Sequence, residues 1–286
     1  MIDDAEIKSR VNKKLNWYSV DSEERYNPNQ PDGRGLNYPP VDAAITYKFN
    51  SDGFRCDHFT EQTTLPILFM GCSFTEGIGL PLETVWSHLF LNAIRRQNPD
   101  KKIPYWSIAL HACGIDTQAR LLVDTGYKIK PKYIFYHLSS HYRREYCYEN
   151  YEPKLWVPNF KLGTEADLAF TKLAIDQSFA MHQCWKSLCL INLLAEKYGS
   201  TVVIFQTKAD IDVESERALY SKFNNISYLR IGEDDLLSKW IPNFTKLGPS
   251  LARDNLHPGF WWQTLIYENL YRQLPDSIKL NLGISL

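Results

Sequence analysis

The feature that most constrains the fold is a repeated unit: a short apolar run, then turn residues, then a stretch with helical spacing. The first run, Leu65-Pro66-Ile67-Leu68-Phe69-Met70, ends at Gly71-Cys72-Ser73. A helix is expected over 83–96, where Val85, Leu89, Phe90 and Ile94 recur at roughly helical intervals. A second unit has a strand over 103–110, a turn at Ala112-Cys113-Gly114 and a helix over 116–126. A third strand is expected over 132–138, a fourth over 201–206 and a fifth over 226–231. Residues 139–164 read as a loop region, 165–199 as one or two helices, and 260–274 as the last helix before Pro275. Strands that alternate with helices form a mostly parallel sheet covered on both faces. Ligands of such sheets bind beyond the carboxyl ends of the strands. That rule selects the loops 71–80, 111–117, 137–146, 206–212 and 253–259.

The chain of 286 residues is long enough for one large core or two small ones. Residues 1–64 are punctuated by turn formers, as in Asn27-Pro28-Asn29-Gln30-Pro31-Asp32-Gly33, and read as an irregular arm packed on a main domain over 65–286. Basic and acidic residues number 32 and 33, so no global field draws in nucleic acid or a charged membrane. The cysteines at 56, 72, 113, 147, 184 and 189 form no CxxC pair and no zinc spacing, so reduced thiols and no metal site are expected. The amino terminus, Met1-Ile2-Asp3-Asp4, has neither the basic start nor the apolar run of a signal peptide, and no apolar stretch reaches the length of a membrane span. The expectation is a soluble, cytoplasmic protein with no transmembrane segment. Its oligomeric state is not legible.

Two segments carry candidate chemistry. Ser73 follows the first strand in Gly71-Cys72-Ser73-Phe74-Thr75-Glu76-Gly77-Ile78-Gly79. A serine on such a turn can attack a carbonyl and offer its own amide to the developing oxyanion. It can also simply cap a helix, and Cys72 is an alternative nucleophile. His257 lies in Arg253-Asp254-Asn255-Leu256-His257-Pro258-Gly259, before the last helix. A neutral imidazole suits a general base near pH 7. Asp254 is near enough to fix its tautomer, although an Asp turn beside a surface His would read the same way.

The Gly-x-Ser turn after the first strand, with Asp-x-x-His before the last helix, resembles the SGNH (GDSL-type) hydrolase family. Asn50-Ser51-Asp52-Gly53-Phe54-Arg55 resembles a further segment of that family. The resemblance implies an α/β/α sandwich with a five-stranded, mostly parallel sheet, and hydrolysis of esters or acyl groups, including those on carbohydrates and lipids. It implies a triad of Ser73, Asp254 and His257, no cofactor, and an oxyanion hole from the amides of Ser73 and Gly114. The family's third block offers an Asn side chain as a further donor. This chain has His137-Leu138-Ser139-Ser140-His141-Tyr142-Arg143-Arg144 there. Ser140 is the closest substitute by offset, with His141 and Arg143 as alternatives. His141, Arg143 and Arg144 are also candidate substrate-binding residues. The altered block leaves open a second function, a non-catalytic binding or assembly module on the same fold.

Overall fold

The computed structural model describes residues 4–25, 45–148, 152–156, 165–207, 210–231, 252–254 and 256–285. Five parallel strands form the central sheet: β1 (Ile67–Gly71), β2 (Trp106–Ser107), β3 (Tyr133–His137), β4 (Thr201–Gln206) and β5 (Ile226–Arg230). Their spatial order is β2-β1-β3-β4-β5. All five lie within the expected runs. β2 is shorter than its apolar run, 103–110. Ser107 Oγ accepts the Ala109 N–H at 3.2 Å, while the N–H groups of Ile108 and Leu110 still bond the carbonyls of Phe69 and Gly71.

Alternation along the strands builds two cores. Leu68, Met70, Ile134, Tyr136, Val202 and Ile204 face α2 (Ile115–Ile129), α3 (Gln177–Tyr198) and α4 (Val213–Tyr220). Ile67, Phe69, Tyr133, Phe135, Val203 and Phe205 face α1 (Trp86–Gln97) and α5 (Phe260–Gln273). Phe69 is fully buried against the rings of Trp86, Tyr105 and Phe135, so truncating it to Ala would cost about 3–5 kcal/mol. This is the three-layer α/β/α architecture with a five-stranded parallel sheet that the resemblance implied.

Two features depart from the sequence reading, and a third decides between the one or two helices it allowed. The 139–164 loop region contains two antiparallel strands, Arg144–Tyr148 and Glu152–Trp156. The 165–199 stretch is two helices, Glu165–Ala174 and α3, separated where Asp176 caps α3 by accepting the Phe179 N–H at 2.8 Å. The 4–25 segment carries its own helix, Asp4–Arg10, and a two-residue strand, Lys14–Leu15, paired with Tyr47–Lys48. Among the described residues no helix is long and apolar enough to cross a membrane. Cys56, Cys72, Cys113, Cys184 and Cys189 are free thiols.

Candidate active site

The connection after β1 runs over one face of the sheet and the connection after β3 over the other. The crevice between the ends of β1 and β3 is therefore the switch point where open α/β sheets bind ligands. Ser73 stands there, as the first residue of a single helical turn, Ser73–Glu76. The turn depends on Gly71, whose φ is +155° and whose absent Cβ would lie 2.2 Å from Thr75 Oγ1. Cys72 packs into the α2–α3 core, so its thiol is turned away from the ligand side. Ser73 is nearly buried, and neither its N–H nor its Oγ has a hydrogen-bond partner among the described residues.

The second loop is locked to the first. Gln118 Nε2 and Cys113 Sγ both donate to the Gly71 carbonyl at 3.2 Å, and the Gly71 N–H returns a bond to Gln118 Oε1. Gly114, at the start of α2, is thereby fixed beside the Ser73 turn.

Asp254 and His257 form a closed local unit. Asp254 Oδ1 accepts the N–H groups of Leu256 at 3.1 Å and His257 at 3.0 Å, while Oδ2 bonds His257 Nδ1. Burial works to raise the pKa of Asp254, but the His257 hydrogen bond and charge and the two backbone N–H groups outweigh it and hold the carboxyl below its usual value. With Nδ1 engaged, Nε2 is the ring nitrogen left for chemistry. The imidazole stands edge-on to Phe74, the neighbour of Ser73, with ring centroids 6.0 Å apart. Asn255 lies outside the described residues.

Three ties bring this loop to the Ser73 turn. Gln263, on α5, donates to the Phe74 carbonyl at 3.2 Å and accepts the Trp86 N–H at 3.0 Å. The Arg253 N–H donates to the Gly79 carbonyl at 3.0 Å. Gly79 has φ +73°, and a Cβ there would meet Ala252 Cβ at 2.8 Å and Asp254 Cγ at 3.2 Å, so only glycine permits this approach.

The amino-terminal segment completes the frame, in part through residues that no sequence pattern singled out. Arg253 donates from Nε to Asp21 Oδ1 at 3.0 Å and lies 3.9 Å from the centre of the Trp17 ring. Tyr47 donates to Asp21 at 2.5 Å and accepts the Gly79 N–H at 2.7 Å. Arg55, from the segment that carried part of the resemblance, donates to the carbonyls of Glu76, Gly77 and Leu80. Asn50, in the same segment, holds its turn by accepting the N–H groups of Asp52 and Phe54. Glu76, three residues after Ser73, is buried and accepts from Arg10 at 2.9 Å, Tyr18 at 3.1 Å and the His111 N–H at 2.8 Å.

The candidates after β3 fare differently. Ser140 Oγ accepts the Tyr142 N–H at 3.1 Å, a bond that shapes its own loop. His141 is fully buried between Asp210, 2.6 Å from Nδ1, and the Tyr220 hydroxyl, 3.0 Å from Nε2. Arg144 is buried and donates to the carbonyls of Arg143 and Ala180 at 2.6 Å. His141 and Arg144 therefore lie in the packing beneath the loop, out of a ligand's reach. Position in the chain placed them at the active end; which way their side chains turn depended on pairing with α3, α4 and the 210 loop. Arg143 is only partly buried. Among the described residues no group of three or more His, Cys, Asp or Glu side chains is placed to hold a metal ion.

His137, at the end of β3, is stacked on Phe205 with centroids 5.0 Å apart. Burial and, secondarily, the charge of Arg143 bring its pKa down to about 3. The folded chain keeps this imidazole neutral, whereas the unfolded chain protonates it near pH 6.5. Its contribution to stability is therefore intact above about pH 6.5 and is lost as the pH falls toward 3, on the order of 3 kcal/mol at pH 4. Asp116, pushed up to about 6 chiefly by burial, acts in the opposite sense, so the two must be separated by substitution. His137→Gln should flatten the fall in thermal midpoint between pH 7 and pH 4. Parallel curves for the two proteins would exclude His137 as the source.

No protein-family model matches the chain, and no curated protein matches it. Solved structures do. A psychrotrophic esterase, EstA, from Pseudoalteromonas sp. aligns with 14% identity and a TM-score of 0.44, over 76% of this chain and 98% of that one. The acetyl xylan esterase AlAXEase aligns with 12% identity and a TM-score of 0.46, over 73% of this chain and 99% of that one. The two-domain esterase CEX, active on acetylated mannans, aligns with 14% identity and a TM-score of 0.49, over 75% of this chain and 50% of that one.

Proposed function

We propose that the protein is a serine-dependent hydrolase of esters or O-acyl groups, with Ser73 as nucleophile, His257 as general base and Asp254 as the carboxylate that orients it. The observation that carries this reading is the Asp254–His257 unit. Its carboxylate is anchored by two backbone N–H groups, its Nδ1 is engaged, and its loop is bonded to the Ser73 turn. A carboxylate on Nδ1 selects the tautomer that leaves Nε2 as the basic nitrogen, which is what a general base requires.

In the proposed reaction Ser73 Oγ attacks the acyl carbon and its proton passes to His257 Nε2. The N–H groups of Ser73 and Gly114 receive the oxyanion. Collapse of the tetrahedral intermediate breaks the bond to the alcohol, which leaves with the proton from His257. Water, deprotonated by His257, then attacks the acyl-enzyme and releases the acid and Ser73. The substrate class is a small ester or an acylated carbohydrate or lipid, and no cofactor takes part.

The test is covalent. A fluorophosphonate should modify the native protein at Ser73, as read by peptide mass spectrometry, and p-nitrophenyl acetate should be turned over. Ser73→Ala and His257→Ala should show neither. If the native chain neither labels nor hydrolyses short esters or acetylated sugars, the fold serves binding or assembly instead.

A further inference from the structure

The tetrahedral intermediate of the proposed reaction carries a full negative charge, and the two amides assigned to it are neutral. A third group lies on the loop packed against Gly114. Arg143 has its Nη1 shut off from solvent, with no hydrogen-bond partner among the described residues. A donor nitrogen shut off from water and left unbonded is costly, and an incoming acceptor would relieve that cost. Its place is fixed from two sides. The Arg143 carbonyl lies against Gly114, where an added Cβ would come within 2.3 Å of it. The guanidinium charge is felt at Cys113, the residue before Gly114, and at His137, whose strand pairs with β1 through Gly71. Cys113, Gly114 and His137 flank the Ser73 turn. Two other polar side chains of this loop are already paired: His141 with Asp210, and Arg144 with the carbonyls of Arg143 and Ala180.

We propose that Arg143 is a third, cationic donor of the oxyanion hole, its Nη1–H groups directed at the oxygen that becomes negative when Ser73 attacks. The inference rests on the serine-hydrolase reading above and deepens it. A charged donor in a water-poor site strengthens as the carbonyl oxygen gains charge, so it acts on the transition state more than on the bound ester. It also gives the substituted third block a working role.

The experiment compares the native protein with Arg143→Met, which keeps length without charge, Arg143→Lys and Arg143→Ala. On p-nitrophenyl acetate kcat should fall about 10²–10³-fold in the Met and Ala variants, with KM changed by about threefold or less. The Lys variant should fall between them and the native protein. Added guanidinium should restore about tenfold of the loss in Arg143→Ala and none in the native protein. A purely packing role would lower the thermal midpoint without rescue by guanidinium, and that result overturns the proposal. So does a Met variant with kcat within about threefold of native. If the native chain labels at Ser73 while these variants keep their kcat, only the assignment of Arg143 fails. If the native chain neither labels nor turns over, the hydrolase reading fails and this assignment falls with it.

Discussion

Changing Asp254 to Asn should leave the chain folded and lower kcat about 10⁴-fold, because the substitution reverses the histidine tautomer. The local geometry dictates the outcome. Asp254 Oδ1 is held by the N–H groups of Leu256 and His257, so the carbonyl oxygen of an asparagine would keep that position. Its NH₂ group would then face His257 Nδ1, where Oδ2 now stands. Two donors cannot share that contact, so Nδ1 would become the acceptor and the proton would move to Nε2. An imidazole protonated at Nε2 cannot take the Ser73 proton. Asp254→Ala should also be slow, but for another reason: it frees the two backbone N–H groups and loosens the turn. Thermal midpoints would tell the two apart, since the Asn variant keeps those bonds. Turnover of p-nitrophenyl acetate by Asp254→Asn within about tenfold of native would sink the triad assignment.

The legible parts of this molecule are those encoded by local pattern. The strands β1, β3 and β4 are visible because they are buried on both faces and so are written as near-continuous apolar runs between turn residues. Ser73, Asp254 and His257, the proposed triad, are visible because a Gly-x-Ser turn and an Asp-turn-His are short-range devices at sheet ends. The strand pair at 144–156 escaped notice because Arg144, Glu145 and Lys154 break any apolar alternation. Chain position puts His141 and Arg144 just after β3, but their direction is set by Asp210, Tyr220 and Ala180, far away in the chain. The bonds from Asp21 to Arg253 and from Arg55 to the 76–80 loop are the extreme case. Each joins residues with no shared motif, and polar residues in a turn-rich arm look like solvated surface until the fold closes over them.

That closure makes Glu76 the residue whose loss should most damage both stability and turnover without touching the proposed triad. Its side chain is almost wholly buried, in ion-pair contact with Arg10 at 2.9 Å, and both partners lie out of water. Burial pushes its pKa up, but the His111 hydrogen bond, the Arg10 charge and the Tyr18 hydroxyl outweigh that and hold the carboxyl below its usual range. Glu76→Ala would strand the Arg10 guanidinium, whose Nη2 already has no partner among the described residues. Removing one member of a buried pair costs about 3–5 kcal/mol, which corresponds to a fall of roughly 10 °C in thermal midpoint for a chain of this size. Turnover should fall as well, because Glu76 ends the helical turn that begins at Ser73 and is that turn's anchor to the amino-terminal helix and to His111. The double variant Arg10→Met/Glu76→Met separates the two effects. With no charge left to strand, it should regain much of the stability lost by Glu76→Ala. It should not regain kcat, since the anchor is still missing. A double variant as unstable as the single one would show that the bonds from Tyr18 and His111, and not the Arg10 ion pair, hold the turn in place.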